Sequence, residues 1–127
     1  MAHKVFVSAS HKDRDLARDL EHRLHEAGLQ VQFSDLNVSV GSNWEKRILD
    51  VLKTADEVMV ILSNNSVDSP WLMFEIGAAS SLRKKVTPVV VGLEEEELPP
   101  IIKQFKQVRY NELSDYISRL ERSAQAA

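Results

Sequence analysis

Cysteine is absent from this chain of 127 residues, which excludes disulfide staples and thiolate metal sites and suits a reducing compartment. Glycine numbers only four, and no Gly-x-Gly-x-x-Gly turn follows the first apolar run, which argues against a reusable dinucleotide redox cofactor. Positive charge is short as well. The formal net charge is -3 and no basic run exceeds Arg83-Lys84-Lys85, so the electrostatic footprint of nucleic-acid binding is missing. The longest purely apolar runs, such as Val58 to Leu62, fall far below the roughly 20 residues that a membrane span needs. No N-terminal signal is visible. The expectation is a cytoplasmic chain with neither nucleic acid nor membrane as a partner.

What is present is enough apolar material, 43% of residues, for one core and too little for two. That predicts a single domain over 1–127, with residues 1–3 and 123–127 frayed. Short apolar runs alternate with helical periodicities, the pattern of a parallel sheet wrapped by helices. Val5-Phe6-Val7 reads as a first strand. Asp13 to Ala27 repeats Leu16, Leu20 and Leu24 among charges, and Gly28 is placed to stop that helix. Leu29, Val31 and Phe33 alternate with polar residues, as expected of a strand wetted on one face at the sheet edge. A loop from Asp35 to Asn43 leads to a helix with Ile48, Val51, Leu52 and Ala55 inward.

Val58 to Leu62 is continuously apolar and marks a strand covered on both faces in the middle of the sheet. Val86 to Val91 reads as a fourth strand, with Pro88 placing its start near an edge or before the ladder is established. Glu94 to Glu97 and Pro99-Pro100 form a surface loop. Gln104 to Tyr110 predicts a weak last strand, and Glu112 to Arg122 a closing helix.

The element Ser69-Pro70-Trp71-Leu72-Met73-Phe74-Glu75-Ile76-Gly77-Ala78-Ala79 sets one carboxylate inside an apolar, small-residue helix. Ser69 suits the N-cap and Pro70 the first helical position. Trp71 and Glu75, four apart, share a face and could hold a flat ring beside an acid. Glu75 could equally pair with a Lys or Arg, or point outward. In an open parallel sheet of order 2-1-3-4-5, ligands bind outside the carboxyl ends of the strands near the switch point. That brings together Ser8-Ala9-Ser10-His11, Asp35 to Trp44 and Asn64 to Trp71. Ser8 and Ser10 offer hydroxyls at a helix start where a phosphate would be welcome, or else simply cap the helix. His11 is kept as a contact. His22 and His25 read as solvated surface, and no metal site is expected.

In order, Val5-Phe6-Val7-Ser8-Ala9-Ser10-His11-Lys12-Asp13, Asp35 with Gly41 and Trp44, Ala55-Asp56-Glu57-Val58 into Leu62-Ser63, and Ser69-Pro70-Trp71 with Glu75 resemble a bacterial Toll/interleukin-1 receptor (TIR) domain across nearly the whole chain. The resemblance implies a flavodoxin-like fold, self-association and, as in many bacterial and plant members, cleavage of NAD+ between nicotinamide and ribose. It places the catalytic acid at Glu75. It also implies that the Asp35 to Asn43 loop shapes the nucleotide pocket and, with neighbouring helices, makes contacts between subunits. A fused or separate sensor domain is a frequent companion in this family. Two departures stand out: Ala9 occupies a position where many relatives carry an aromatic, and no proline falls between Asp35 and Asn43, which favours a prokaryotic enzyme or effector over an animal adaptor.

The chemistry fits a lone acid. Most glycosidases need two carboxylates, but the nicotinamide of NAD+ is a cationic ring that departs neutral, so no general acid is required. A single carboxylate can stabilise the ribosyl cation by electrostatics or by transient covalent attack. Glu75 is the only acid between Asp68 and Glu94. Trp71, Trp44 and Phe33 are candidate flat walls for nicotinamide or adenine, although Phe33 also suits a core position. NAD+ is thus expected as a substrate, giving nicotinamide with ADP-ribose or a cyclic product, and no cofactor is retained. The alternatives are a non-catalytic TIR docking module and a nucleoside deoxyribosyltransferase.

Overall fold

Five apolar runs become parallel strands, and the amphipathic segments between them become the two layers that cover the sheet. The computed structural model describes residues 3–35 and 44–126, with the side chains of 33–35, 44–47 and 124–126 outside that description. The chain runs β1 (Lys4–Ala9), α1 (Arg14–Glu26), β2 (Gln30–Asp35), α2 (Trp44–Thr54), β3 (Glu57–Leu62), α3 (Pro70–Ser81), β4 (Lys85–Val90), β5 (Val108–Arg109) and α4 (Leu113–Ala126). All strand pairs are parallel, in the order β2-β1-β3-β4-β5. This is the flavodoxin-like arrangement expected, with β2 at an edge and the wholly buried β3 in the middle.

Side chains alternate across each strand, and the alternation sorts the core into two clusters. Val5, Val7 and Ala9 of β1 face Leu20 and Leu24 of α1 and Leu113 and Ile117 of α4. Phe6 faces the other way, with Val58, Val60 and Leu62 of β3, toward Leu52 of α2 and Leu72, Ile76 and Ala79 of α3. By the same period Ser8 belongs to the α3 side. That single fact positions the site.

The structure differs from the expectations at several boundaries. The first helix is preceded by a 3-10 turn over His11–Asp13 and begins at Arg14, because the Asp13 side chain makes no capping bond and is used elsewhere. Its other end is as predicted. Gly28, at φ 82°, closes α1 with Gly28 N–H to His25 O at 3.0 Å and Leu29 N–H to Leu24 O at 3.0 Å. Pro88 lies opposite Val60 of β3, and β5 pairs only with Val89 and Val90, so the proline stands before that ladder starts.

The last strand is shorter than Gln104 to Tyr110, because 3-10 turns at Ile102–Gln104 and Tyr110–Glu112 take its flanks. The first of these turns is seeded by the carbonyl of Pro99, which accepts from Ile102 N–H at 3.0 Å. The acidic loop folds into a turn over Glu95–Glu97, where Glu94 N–H donates to Glu97 Oε1 at 2.8 Å. Near the ends of the described chain, His3 is tied to Glu57 at 2.9 Å, and α4 continues past the expected Arg122 to Ala126. The expected loop over residues 36–43 lies outside the described residues. Among the described residues, no helix is long and apolar enough to cross a membrane.

Candidate active site

α3 starts as its sequence dictates. Ser69 has an extended backbone, its hydroxyl oxygen accepts from Leu72 N–H at 3.3 Å, and Pro70 fills the first position. Apart from Glu75 the helix carries no charge, and its buried face comprises Leu72, Glu75, Ile76 and Ala79. Glu75 therefore points inward, three residues after Leu72, toward β1. There the Ser8 hydroxyl donates to Glu75 Oε1. Both residues have 0% exposure. Glu75 Oε2 is buried and accepts no hydrogen bond, and among the described residues no Lys, Arg or His pairs with the carboxylate. Burial pushes its pKa up to about 7, against the single opposing pull of the Ser8 bond.

A second set of bonds ties the turn after β1 to the loop after β3. Asp13 Oδ2 accepts from the Ser63 hydroxyl at 2.6 Å and Oδ1 from Asn65 Nδ2 at 2.8 Å. Ser63 Oγ in turn accepts from Asn65 N–H at 3.0 Å, and the Ser66 hydroxyl donates to Ile61 O at 2.9 Å. The turn after β1, which follows Ser8, and the loop after β3, which leads into α3, are thereby held together. Sequence reasoning missed this latch. Its one visible signal was a run of short polar residues directly after a buried strand, which favours local side chain to backbone bonds.

The remaining expected site residues divide. Ser8 is not a surface phosphate donor, since its proton is committed to Glu75 inside the core. Ala9 is fully buried and packs in the α1/α4 cluster, on the face of the sheet opposite α3. Ser10 takes the capping role, accepting from Lys12 N–H at 3.3 Å. His11 is exposed in the same turn, with Nε2 2.5 Å from Arg14 Nη1. Trp71 is partly buried against the α2/α3 cluster and stacked on Phe74, with ring centroids 5.6 Å apart and planes at 25°. Phe33, Asp35 and Trp44 are placed by backbone alone, and their side chains lie outside the described residues.

His22 and His25 lie on the exposed side of α1, paired with Glu26 at 2.8 Å and Glu21 at 3.8 Å. Among the described residues no cluster of three or more His, Asp or Glu could hold a metal. A cavity of about 440 Å³ opens over the ends of β4 and β5, lined by Gly92, Leu93, Arg109 and Tyr110. β3 stands between it and β1, so it is separate from the Glu75 site.

The strand order, the Trp71 to Glu75 helix and the loops around them coincide with a family pattern, and the TIR-domain profile matches residues 5–124. The chain belongs to the TIR-domain family. It is 26% identical over 115 residues to the NAD(+) hydrolase TcpA of Theionarchaea archaeon (strain DG-70-1), a match covering 87% of this chain and 34% of that protein. It is 32% identical over 98 residues to the probable 2' cyclic ADP-D-ribose synthase TcpO of Methanobrevibacter olleyae, covering 74% and 29%. This TIR domain thus spans about a third of the length of each of those relatives. In three dimensions it resembles the TIR domain of the Toll-related receptor TRR-2 from Hydra magnipapillata, with a TM-score of 0.75, 14% identity and coverage of 93% of this chain and 97% of that one. These likenesses fix the family and the fold without singling out its bacterial branch.

Proposed function

We propose that this TIR domain cleaves the bond between nicotinamide and ribose in NAD+, with Glu75 as the carboxylate beneath the reacting sugar. The observation that carries the reading is the half-satisfied, fully buried carboxylate. A charge in that position is costly unless a partner arrives, and among the described residues Glu75 has one donor and no cation. The nicotinamide ribosyl unit is cationic before bond breaking and becomes a ribosyl oxocarbenium as the bond opens. It supplies the missing positive charge at the moment of reaction, which is where electrostatic stabilisation is most effective.

In the proposed step the bond between C1′ and the ring nitrogen breaks, and its electron pair stays with nicotinamide, which leaves neutral. Glu75 stabilises the cation left at C1′. Water, or a hydroxyl of the same molecule, then attacks C1′ and gives up a proton, yielding ADP-ribose or a cyclic product. Trp71, one turn before Glu75, would offer its ring as a wall for the departing base. The names of the two archaeal-type relatives support both the substrate and the choice of products.

Glu75 is enclosed on all sides, so substrate reaches it only when the covering groups part. We assign that opening to self-association. The exposed positions of α3, Pro70, Phe74, Gly77, Ser80 and Ser81, carry no charge and present an uncharged strip beside the site. The same strip supports a second reading, a docking module without catalysis.

Beads that force assembly separate the two. Wild type and Glu75→Gln are incubated with NAD+ and nicotinamide release is followed. The hydrolase reading expects release from wild type and a loss of at least about 100-fold in the variant, in the range for removal of a transition-state charge partner. Equal silence from both under forced assembly leaves the docking module. Parallel incubations with deoxynucleosides and free bases expose transferase activity.

A further inference from the structure

We infer that Ser8 is the positioning residue of the site: its hydroxyl fixes Glu75 Oε1 so that Oε2 alone is presented to the reacting sugar. This rests on the hydrolase reading of Glu75. Several observations lead to it. Ser8 sits in the central part of the sheet, paired with Ser34 of β2 on one side and Val60 of β3 on the other, so its Cα has little freedom. On the α3 side of the sheet its neighbours along and across the strands, Phe6, Val58 and Val60, are apolar. A hydroxyl buried among them is unfavourable unless it makes a hydrogen bond, and its proton goes to Glu75. The bond spans 67 positions of sequence and joins the first strand to the third helix. Packing alone would be served better by Val or Ala at this place.

The consequence is chemical as well as geometric. A donor to one oxygen favours the ionised carboxylate, and Ser8 is the one group that offsets the effect of burial on Glu75. Among the described side chains, the other charged groups on the elements around α3 are exposed, stand at the opposite end of the sheet or, like Asp13, are engaged by Ser63 and Asn65. Asp50 and Lys53 of α2 are exposed, Lys4 of β1 and Lys85 of β4 stand at the opposite end of the sheet, and Glu57 of β3 is engaged there. Among the described residues, Ser8 alone has a polar atom on Glu75.

The test compares wild type, Ser8→Ala and Ser8→Thr as assembled domains, each first shown to be folded by circular dichroism. kcat and KM for NAD+ are measured from about pH 5.5 to 9, and the Glu75 carboxyl is titrated by 13C NMR in glutamate-labelled protein without substrate. Ser8→Ala is expected to raise the apparent pKa of Glu75 by about one unit, which lowers kcat about tenfold below neutrality and lets it recover toward wild type above about pH 8.5. KM stays within about twofold. Ser8→Thr, which retains the hydroxyl, restores the wild-type titration. An unshifted titration in Ser8→Ala overturns the assignment, as does a rise in KM at constant kcat, which would place Ser8 on the substrate instead. A wild type that releases no nicotinamide overturns the hydrolase reading itself and the positioning role with it, a result distinct from an active enzyme with an unmoved pKa.

Discussion

Glu57 and Glu75 are buried to the same extent, both at 0% exposure, yet the protein treats their charges in opposite ways. Glu57, at the start of β3, accepts from Thr87 Oγ1 at 2.6 Å and from Tyr116 OH at 2.5 Å, meets His3 Nε2 at 2.9 Å, and has Lys85 Nζ at 4.0 Å. Burial works against its ionisation, but these partners outweigh burial and hold its pKa below the ordinary value. Glu75, at the other end of the sheet, has Ser8 alone among the described residues and is pushed up to about 7. Glu57 is a satisfied structural anion. Glu75, with one oxygen unbonded among the described residues, is the group on which the proposed chemistry rests.

The two environments make opposite contributions to stability as pH changes. Between the ordinary carboxyl value of 4.5 and about 7, folded Glu75 keeps a proton that the unfolded chain has lost, so its contribution falls as pH rises through that window. Glu75→Gln removes this titration while retaining an acceptor for Ser8. The variant should match wild type near pH 4 and exceed it at about pH 8 by on the order of 3 kcal/mol, the equivalent of the pKa displacement. Urea unfolding of both proteins at the two pH values measures the difference, in which other titrating groups cancel. Parallel curves would show that Glu75 ionises as readily in the folded chain as in the unfolded one.

At the opposite end of the sheet, Tyr116→Phe deletes one donor to a buried anion without leaving a large void. A hydrogen bond to a charged group contributes about 1.5–3 kcal/mol, so the variant should lose that much at neutral pH. The sign of the pH dependence is reversed relative to Glu75. Because the native pKa of Glu57 is lowered, its stabilisation is present above the unfolded value of 4.5 and is lost as pH falls through the native one. The penalty for Tyr116→Phe should therefore shrink on acidification. Thermal melts of the pair at about pH 7 and pH 4 would decide, and a penalty that does not change with pH would assign Tyr116 a packing role instead.

Much of this was legible in the sequence, and the failures have a common cause. The buried middle strand and the Ser69-Pro70 start of α3 follow from apolar run length and capping chemistry, the strand order from the family resemblance, and each is found. The inward aim of Glu75 was one of three open readings. Only the register of α3 against β1 decides it. The opposite facing of Ser8 and Ala9 was not legible, because a strand covered on both faces shows no polar alternation from which to read its sides. Which face meets α3 is a tertiary fact. Glu57 went unnoticed for a related reason: its four partners come from the N-terminal segment, β4 and α4, distances in sequence that no local pattern spans. Phe33, Asp35 and Trp44 remain expectations, because their side chains fall outside the described residues.

Helix α3 ends as α1 does, with one difference that sets up a reciprocal pair of variants. At the end of α3, Arg83 N–H reaches Ser80 O at 3.0 Å and Lys84 N–H reaches Ala79 O at 2.9 Å, the same closure that Gly28 gives α1. The residue in the left-handed position is here an arginine, at φ 59°, where a side chain carries a steric cost that glycine avoids. Arg83→Gly should stabilise the domain by about 0.5–1 kcal/mol, the relief of strain being partly offset by glycine's greater freedom when unfolded. Gly28→Ala should destabilise by about 1 kcal/mol, since an added Cβ meets no neighbour within 4 Å and the cost is conformational alone. Chemical unfolding of the two variants beside wild type reads both effects. Opposite signs are required, and a loss of stability in Arg83→Gly would mean that the arginine side chain contributes more through its own contacts than its backbone conformation costs.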